Sequence, residues 1–428
     1  MFFKNLLTLI TVLKEYKITT LPNGTRIVSE FIPYVKSFSL GFWFNVGTRD
    51  ENVSNNGISH FIEHMLFKGT KRRSAKRIAE EIESYGGYLN AFTSKEHTCY
   101  YTKGLSENLA KSFTILADMI QNPLFKESHI RKESGVIIDE LRDVKDNPEE
   151  LIFDMFEEVI FKGNRLSMPV IGTEGNIRKF NSDELHKYHR KKYNIGSLLI
   201  VASGYVEHDE LVKLAEKNIS PKTSGAKVLR EKFVSRKVKD LILEKDFHQV
   251  HSIIGRATVG FNSKKRIIIK VLSTLLGEGS SSRLFLAVRE KLGITYQINS
   301  FLNSYQDVSS FGIYYSTNSN QADRVMEIIL RELKKLRENK VTEKELNKVK
   351  AFIKGGTLLG LENTSNRMIR IANSILYFNK IVTMEDYLKS IEEVTAEDIM
   401  KIANEILNEE KLIKVILKSN NNKIPEAA

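Results

Sequence analysis

The stretch His60-Phe61-Ile62-Glu63-His64-Met65-Leu66-Phe67-Lys68-Gly69-Thr70 carries the most chemistry per residue in the chain. Helical spacing puts residues four apart on one face, so His60 and His64 project together, about one turn apart. Two imidazoles placed this way can share a zinc ion, which binds such nitrogens at about 2.0–2.1 Å. Glu63 borders the same face. A carboxylate there can take a proton from a metal-activated water without ligating the metal, which is the position of a general base. A surface helix with two solvated histidines is the bland alternative. Phe61, Ile62, Met65, Leu66 and Phe67 surround the pair with apolar side chains, however, and a histidine pair buried among them needs partners. A shared metal supplies one.

A catalytic zinc usually has a third protein ligand and one open position. The helical stretch 127–143 offers two carboxylates, Glu133 and Glu140, two turns apart and facing the same way. Helix geometry alone leaves both open.

Around this motif the chain reads as two similar halves. A strand-turn-strand unit opens the first, with 18–21 and 26–29 flanking Pro22-Asn23-Gly24, a strong hairpin signal. Residues 38–46 alternate as a strand, 77–84 form a short helix ended by Gly86-Gly87, and 88–92 and 97–102 are strand-like. Helices follow at 108–121 and 127–143, separated by Asn122-Pro123. After a polar stretch, 218–236, the order repeats. Tyr88-Leu89-Asn90-Ala91-Phe92 has its counterpart in 296–301, and Cys99-Tyr100-Tyr101-Thr102 in Ile313-Tyr314-Tyr315-Ser316. The helix 108–121 corresponds to 321–336, and Asn181-Ser182-Asp183-Glu184-Leu185 to Val394-Thr395-Ala396-Glu397-Asp398. The expected fold class is α+β, with two homologous α/β-sandwich domains related by internal duplication. The expected boundaries are an N-terminal extension 1–16, a zinc-binding domain 17–217, a linker 218–236 and a second domain 237–428.

Composition narrows the function classes. With 428 residues and 41% hydrophobic content, the chain is an ordinary globular protein of two domains. A single cysteine, Cys99, excludes an intrachain disulfide and a thiolate cluster. The net charge of +12 raises nucleic-acid binding as a rival. No basic run is interleaved with aromatic residues as strand-binding sites require, so the charge reads as solvated helix faces and no nucleic-acid partner is expected. The apolar run 5–13 resembles a short signal segment, but no small-residue cleavage site follows it. It is also far short of the ~20 residues of a membrane span. A cytoplasmic protein without an integral membrane segment is expected.

From Gly57 to Pro148 the sequence resembles the pitrilysin-like zinc metallopeptidases, in the branch of mitochondrial processing peptidase and its bacterial relatives. The residues that carry the resemblance are the quoted stretch 60–70, then Gly86-Gly87-Tyr88-Leu89-Asn90-Ala91-Phe92-Thr93 and Glu96, Asn122-Pro123, and the helix with Glu133 and Glu140. His60 to His64 matches the H-x-x-E-H inverzincin signature. In that family the third ligand is a glutamate about 76 residues past the second histidine, a spacing that Glu140 meets, and an earlier glutamate, here Glu133, supports the site from outside the ligand set.

The resemblance implies one zinc per chain held by His60, His64 and Glu140, Glu63 as base, and a peptide substrate added as a strand at Asn90 and Ala91. The second half has Lys270, Ser273 and Thr274 where the first has His60, Glu63 and His64. It carries instead Arg289 and Tyr296, a pair that in similar peptidases donates to the substrate backbone and the polarised carbonyl. The related enzymes enclose their site between two two-domain halves of a clamshell, so a chain of this length implies a homodimer. The expected function is a zinc-dependent endopeptidase of short or unfolded peptides. The alternative is a non-catalytic structural or binding subunit of the same fold. His186 with His189 and His248 with His251 lack a nearby family carboxylate and are expected to be structural.

Overall fold

The computed structural model describes residues 16–221 and 229–419. The reading of the extension before Tyr16, and of the linker between 222 and 228, lies outside the described residues.

The first sheet has six strands, β1 (Tyr16–Thr20), β2 (Arg26–Phe31), β3 (Ser37–Phe44), β4 (Tyr88–Thr93), β5 (Thr98–Leu105) and β6 (Leu199–Gly204), in the order β1-β2-β6-β3-β5-β4. The Asn23-Gly24 turn joins β1 to β2 with Gly24 at φ 90, where a glycine is favoured. The second sheet has five strands, β7 (Leu241–Glu244), β8 (Val250–Val259), β9 (Gln297–Ser304), β10 (Val308–Thr317) and β11 (Ile413–Lys418), in the order β7-β11-β8-β10-β9. Without β1, the two sheets follow one order. Each has a parallel pair at the same place, β2 with β6 and β7 with β11, and antiparallel pairs elsewhere. The duplication expected from the sequence is present in the backbone.

One detail of that repeat is corrected. Matching Tyr100 with Tyr314 is out of phase by one residue. Tyr100 faces the main helix layer of the first unit, whereas Tyr314 faces the opposite side of its sheet and Tyr315 faces the helix layer. A slip of one position exchanges the faces of a strand, and paired aromatic residues conceal the slip in the sequence.

Both sheets are apolar on both faces. In the first, Phe38, Leu40, Phe42, Phe44 and Tyr100 meet the helices Ile58–Leu66, Leu109–Gln121 and Glu127–Asp146. The other face presents Val28, Trp43, Cys99, Leu199 and Val201, and is covered by Met368, Ile371, Ala372 and Ile375 of the helix Thr364–Phe378. Those four positions are one helical stripe. Polar contacts pin the same helix, with Arg367 donating to Glu30 at 2.8 Å and Ser39 Oγ 2.8 Å from the hydroxyls of Thr364 and Ser365. The second sheet has the reciprocal arrangement. Its main helix layer comes from its own half, and its other face is covered by Ile152 and Phe156 of the helix Pro148–Ile160. There Glu157 accepts from Tyr305 at 2.7 and 2.9 Å and from Ser310 at 2.9 Å.

Packing therefore divides the chain differently from the continuous segments 17–217 and 237–428. Among the described residues, one compact unit holds 16–141, 168–221, 229–230 and 360–381, and the other holds 142–167, 231–359 and 382–419. Each repeat gives a helix to the other repeat's sheet. Periodicity shows that a helix has an apolar face and says nothing of which sheet it covers. Among the described residues no helix is long and apolar enough to cross a membrane.

Trp43 is the only tryptophan, and it lies in the cluster that the helix Thr364–Phe378 covers. Met368 is fully buried there. Met368→Ala is expected to destabilise the first unit by about 2–5 kcal/mol. Urea unfolding followed by Trp43 fluorescence checks this. An unshifted Trp43 transition would contradict the helix exchange.

Candidate metal centre

The motif helix, Ile58–Leu66, buries Ile58, Phe61, Ile62, Met65 and Leu66 in the core of the first unit. The same amphipathic stripe turns His60, Glu63 and His64 the other way, with the His60 and His64 side chains 12% and 23% exposed. The helix begins at Gly57, whose φ is 98. A side chain there would meet Gly172 at 2.8 Å, so the backbone of the segment at Gly172 approaches too closely for any other residue.

The long helix Glu127–Asp146 brings both carboxylates to the histidines, at different ring nitrogens. Glu140 Oε1 is 3.7 Å from His60 Nε2, and Glu140 Oε2 is 3.6 Å from His64 Nε2. Glu133, two turns earlier, is buried and meets a different atom. Its Oε2 is 3.3 Å from His64 Nδ1, the nitrogen on the far side of the ring, and its Oε1 is 2.7 Å from Lys68 Nζ. A partner on Nδ1 fixes the tautomer and ring orientation that leave Nε2 able to ligate.

The donor set fits a zinc ion. Two imidazoles and one carboxylate place one ligand atom each within 4.8 Å of one another. Their separations of 3.6 and 3.7 Å are too long for hydrogen bonds. Two ligands at about 2.1 Å from a tetrahedral centre stand about 3.4 Å apart, close to the spacing seen. Among the described residues this is the one group of three such side chains so arranged. Burial and the neighbouring His64 push His60 down to about 4, so its ring is neutral and can ligate at neutral pH.

Glu63 lies near Glu140 and is not part of the three-residue group. Burial, reinforced by Glu140 and opposed by a hydrogen bond from Thr93, raises its carboxyl to about 7. Thr93 Oγ1 donates to Glu63 Oε2 at 2.5 Å. Thr93 and Lys68 were missed by the sequence reading. Thr93 could have been found from strand period, because it lies two residues past Ala91 on the same face. Leu89 and Ala91 do pack against the core that contains the motif helix. Asn90 is on the opposite face, its amide donating to Tyr88 Oη at 2.7 Å. β4 is the last strand of its sheet, so its outer edge has no neighbouring strand among the described residues.

Arg289 and Tyr296 belong to the second unit, and the zinc-set residues to the first. Both are exposed. The Arg289 guanidinium sits 5.0 Å from the Phe285 ring centre, and Tyr296 directly precedes β9. The second unit's counterpart of the motif helix, Lys265–Gly277, has an ion pair where the first unit has its donor set. Lys270 donates to both oxygens of Glu278 at 2.8 and 2.7 Å, and Ser273 donates to the same carboxylate at 3.2 Å. His189 and His251 are buried, His251 beside Tyr314 Oη, and neither lies in a metal-binding group.

Comparison with known proteins agrees with this chemistry. Residues 26–174 match the insulinase family (peptidase family M16), and residues 179–353 match the peptidase M16 inactive domain. An uncharacterized zinc protease of Streptomyces coelicolor is 35% identical over 93% of this chain and 88% of its own length. The chain belongs to the M16 peptidase family. An uncharacterized zinc protease of Bacillus subtilis is 34% identical over 94% of this M16 chain and 98% of its own length. The crystal structure of a protease from Helicobacter pylori superposes with a TM-score of 0.89 at 26% identity, over 95% of this chain and 100% of the other. An M16 inactive-domain structure from Pseudomonas fluorescens has the same fold, with a TM-score of 0.88 at 19% identity over 96% and 100%. In this M16 chain the whole histidine-glutamate set falls in the first matched segment, and Lys270, Arg289 and Tyr296 fall in the second.

The purified protein is expected to carry about one zinc per chain, read by atomic absorption. His64→Ala should lose the metal, and Glu63→Gln should retain it. Glu133→Gln should weaken zinc binding about 10- to 100-fold in competition with a chromophoric chelator. Wild-type affinity in Glu133→Gln would remove its assigned role.

Proposed function

We propose that this chain is a zinc-dependent endopeptidase acting on short or unfolded peptides. The observation that carries the reading is the convergence of His60, His64 and Glu140 on one point, with Glu63 beside it and outside the ligand set. His60, His64 and Glu140 would hold the zinc, which when bound would supply Lewis acidity towards water and a carbonyl. Glu63 takes the proton of the attacking water and delivers it to the leaving amine. Thr93 holds one Glu63 oxygen by its hydroxyl and leaves the other for proton transfer. Burial keeps the Glu63 carboxyl near 7, where both its protonated and its ionised forms are accessible at physiological pH.

The open edge of β4 supports strand addition as the binding mode. Backbone bonds at Asn90 and Ala91 then hold the peptide, and side-chain selection stays loose. Arg289 and Tyr296 donate to the developing oxyanion, supplied by the partner subunit of a homodimer whose two halves close as a clamshell. Their exposure is what such a role needs. One zinc per chain and a cytoplasmic setting complete the reading. A non-catalytic subunit of the same fold would have no use for an intact base and ligand set.

Presequence-like or casein-derived peptides should be cut, with loss of activity on chelation. A stably folded globular domain should survive the same incubation on a gel. Rapid cleavage of that domain without prior unfolding would exclude the proposed substrate class.

Sharing of the site between subunits has its own test. Glu63→Gln and Arg289→Ala homodimers should each be nearly inactive. Co-expressed with two tags and purified as the mixed species, they place both defects in one site and leave the other intact. Activity should return towards half of wild type if the sites act independently. A mixed dimer as inactive as its parents would mean that Arg289 is not contributed across subunits.

A further inference from the structure

The short turn Thr48–Asp50 and the residue after it are buried although all four side chains are polar. Arg49 pairs with Glu96 at 2.8 Å, and Asp50 pairs with Arg230 at 2.8 Å. Glu51 is 1% exposed and has no cationic partner among the described residues; its carboxylate is spent on the start of the motif helix. Oε2 accepts from Gly57 N at 2.7 Å and from Asn56 Nδ2 at 3.0 Å, while Oε1 accepts from Ser59 N at 2.8 Å. Gly57 is the N-cap residue and has no side chain with which to cap. A carboxylate from six residues upstream takes over, bridging the N-cap amide and the amide of the second helical residue. His60 is the next residue.

We infer that Glu51 is a positioning residue for the zinc site: its two-oxygen grip on Gly57 and Ser59 sets where the motif helix starts, and so where His60, Glu63 and His64 point. The inference rests on the peptidase reading and adds to it a residue outside the H-x-x-E-H motif. The first amides of a helix have no intrahelical acceptors, and an anion there also meets the positive end of the helix dipole. Ordinary capping would use one oxygen and allow the helix to rock about it. Two oxygens on amides two residues apart define an axis as well as a point. The other side of the same turn is held by Ser59 Oγ, 2.9 Å from Tyr188 Oη. Several helices of the second unit start on ordinary side-chain caps, such as Asn147, Thr383 and Thr395, and none of those helices carries a counterpart of His60, Glu63 and His64.

Glu51→Gln tests this. Its amide presents one acceptor and one donor where two acceptors are needed, so one helix amide is left facing an N–H. The variant is expected to fold, as judged by circular dichroism, and to bind Co2+ in place of zinc with a changed visible d–d spectrum. On a peptide substrate its kcat should fall about 10- to 100-fold with KM within about twofold of wild type. Should Glu51→Gln fail to fold, Glu51→Asp asks the same question, because it keeps the charge and shortens the reach by one methylene. It too should alter the cobalt spectrum and lower kcat. A folded variant with the wild-type cobalt spectrum and wild-type kcat, whatever its melting temperature, overturns the assignment and makes Glu51 a stability residue alone. If the wild-type chain itself takes up no Co2+ or Zn2+, the peptidase reading fails, and this inference fails with it.

Discussion

Each sheet of this protein is apolar on both faces, and each must be covered twice. On the first sheet one face is aromatic and aliphatic through Phe38, Leu40, Phe42 and Phe44, while the other presents Val28, Trp43, Leu199 and Val201. Leaving either in water would forfeit roughly 25 cal/mol for every Å² of apolar surface, far more than a domain's margin of stability. One repeat supplies its own helices for one face only. The helix Thr364–Phe378 and the helix Pro148–Ile160 satisfy the remaining two faces by exchange. With both faces covered, the sheet becomes a stiff platform, and β4 at its margin can serve as a fixed reference for the motif helix.

The chemistry depends on that stiffness. His60, His64 and Glu140 stand a few ångströms apart on helices that are packed into the core of the first unit. The elements that carry these side chains are also tied by polar contacts. Glu133, itself paired with Lys68, meets the His64 ring, Thr93 holds Glu63, and the glycines Gly57 and Gly172 allow the backbones to meet. The second unit shows the same helix-on-strand geometry with other side chains at these places. Lys270 and Glu278 neutralise each other, and the space needs no cation.

Much of this was legible in the sequence. The H-x-x-E-H spacing is a local pattern, and the hairpin at Asn23-Gly24, the strand 38–46 and the helices at 108–121 and 127–143 announce themselves by turn chemistry and periodicity. The structure places them at Ser37–Phe44, Leu109–Gln121 and Glu127–Asp146. The choice between Glu133 and Glu140 was not available from helix geometry, because two turns of helix present both on one side. Only the distances from each carboxylate to the two faces of the His64 ring separate them. Thr93, Lys68 and Glu51 escaped notice because their partners are set by tertiary packing. The exchanged helices escaped for a simpler reason: an amphipathic stripe is the same whichever sheet it meets.

That exchange governs the order in which the protein can be made. By the time Gly204 leaves the ribosome, every strand of the first sheet has been synthesised, yet the cover for its Trp43 face lies at Thr364–Phe378. At about 5–20 residues per second, the nascent chain must wait on the order of ten to thirty seconds with that face bare. An N-terminal half ending near the linker would never receive its cover. Such a fragment, whether from a truncated message or a proteolytic nick followed by separation, would carry His60, His64 and Glu140 on a sheet with one apolar side open to chaperones or to aggregation.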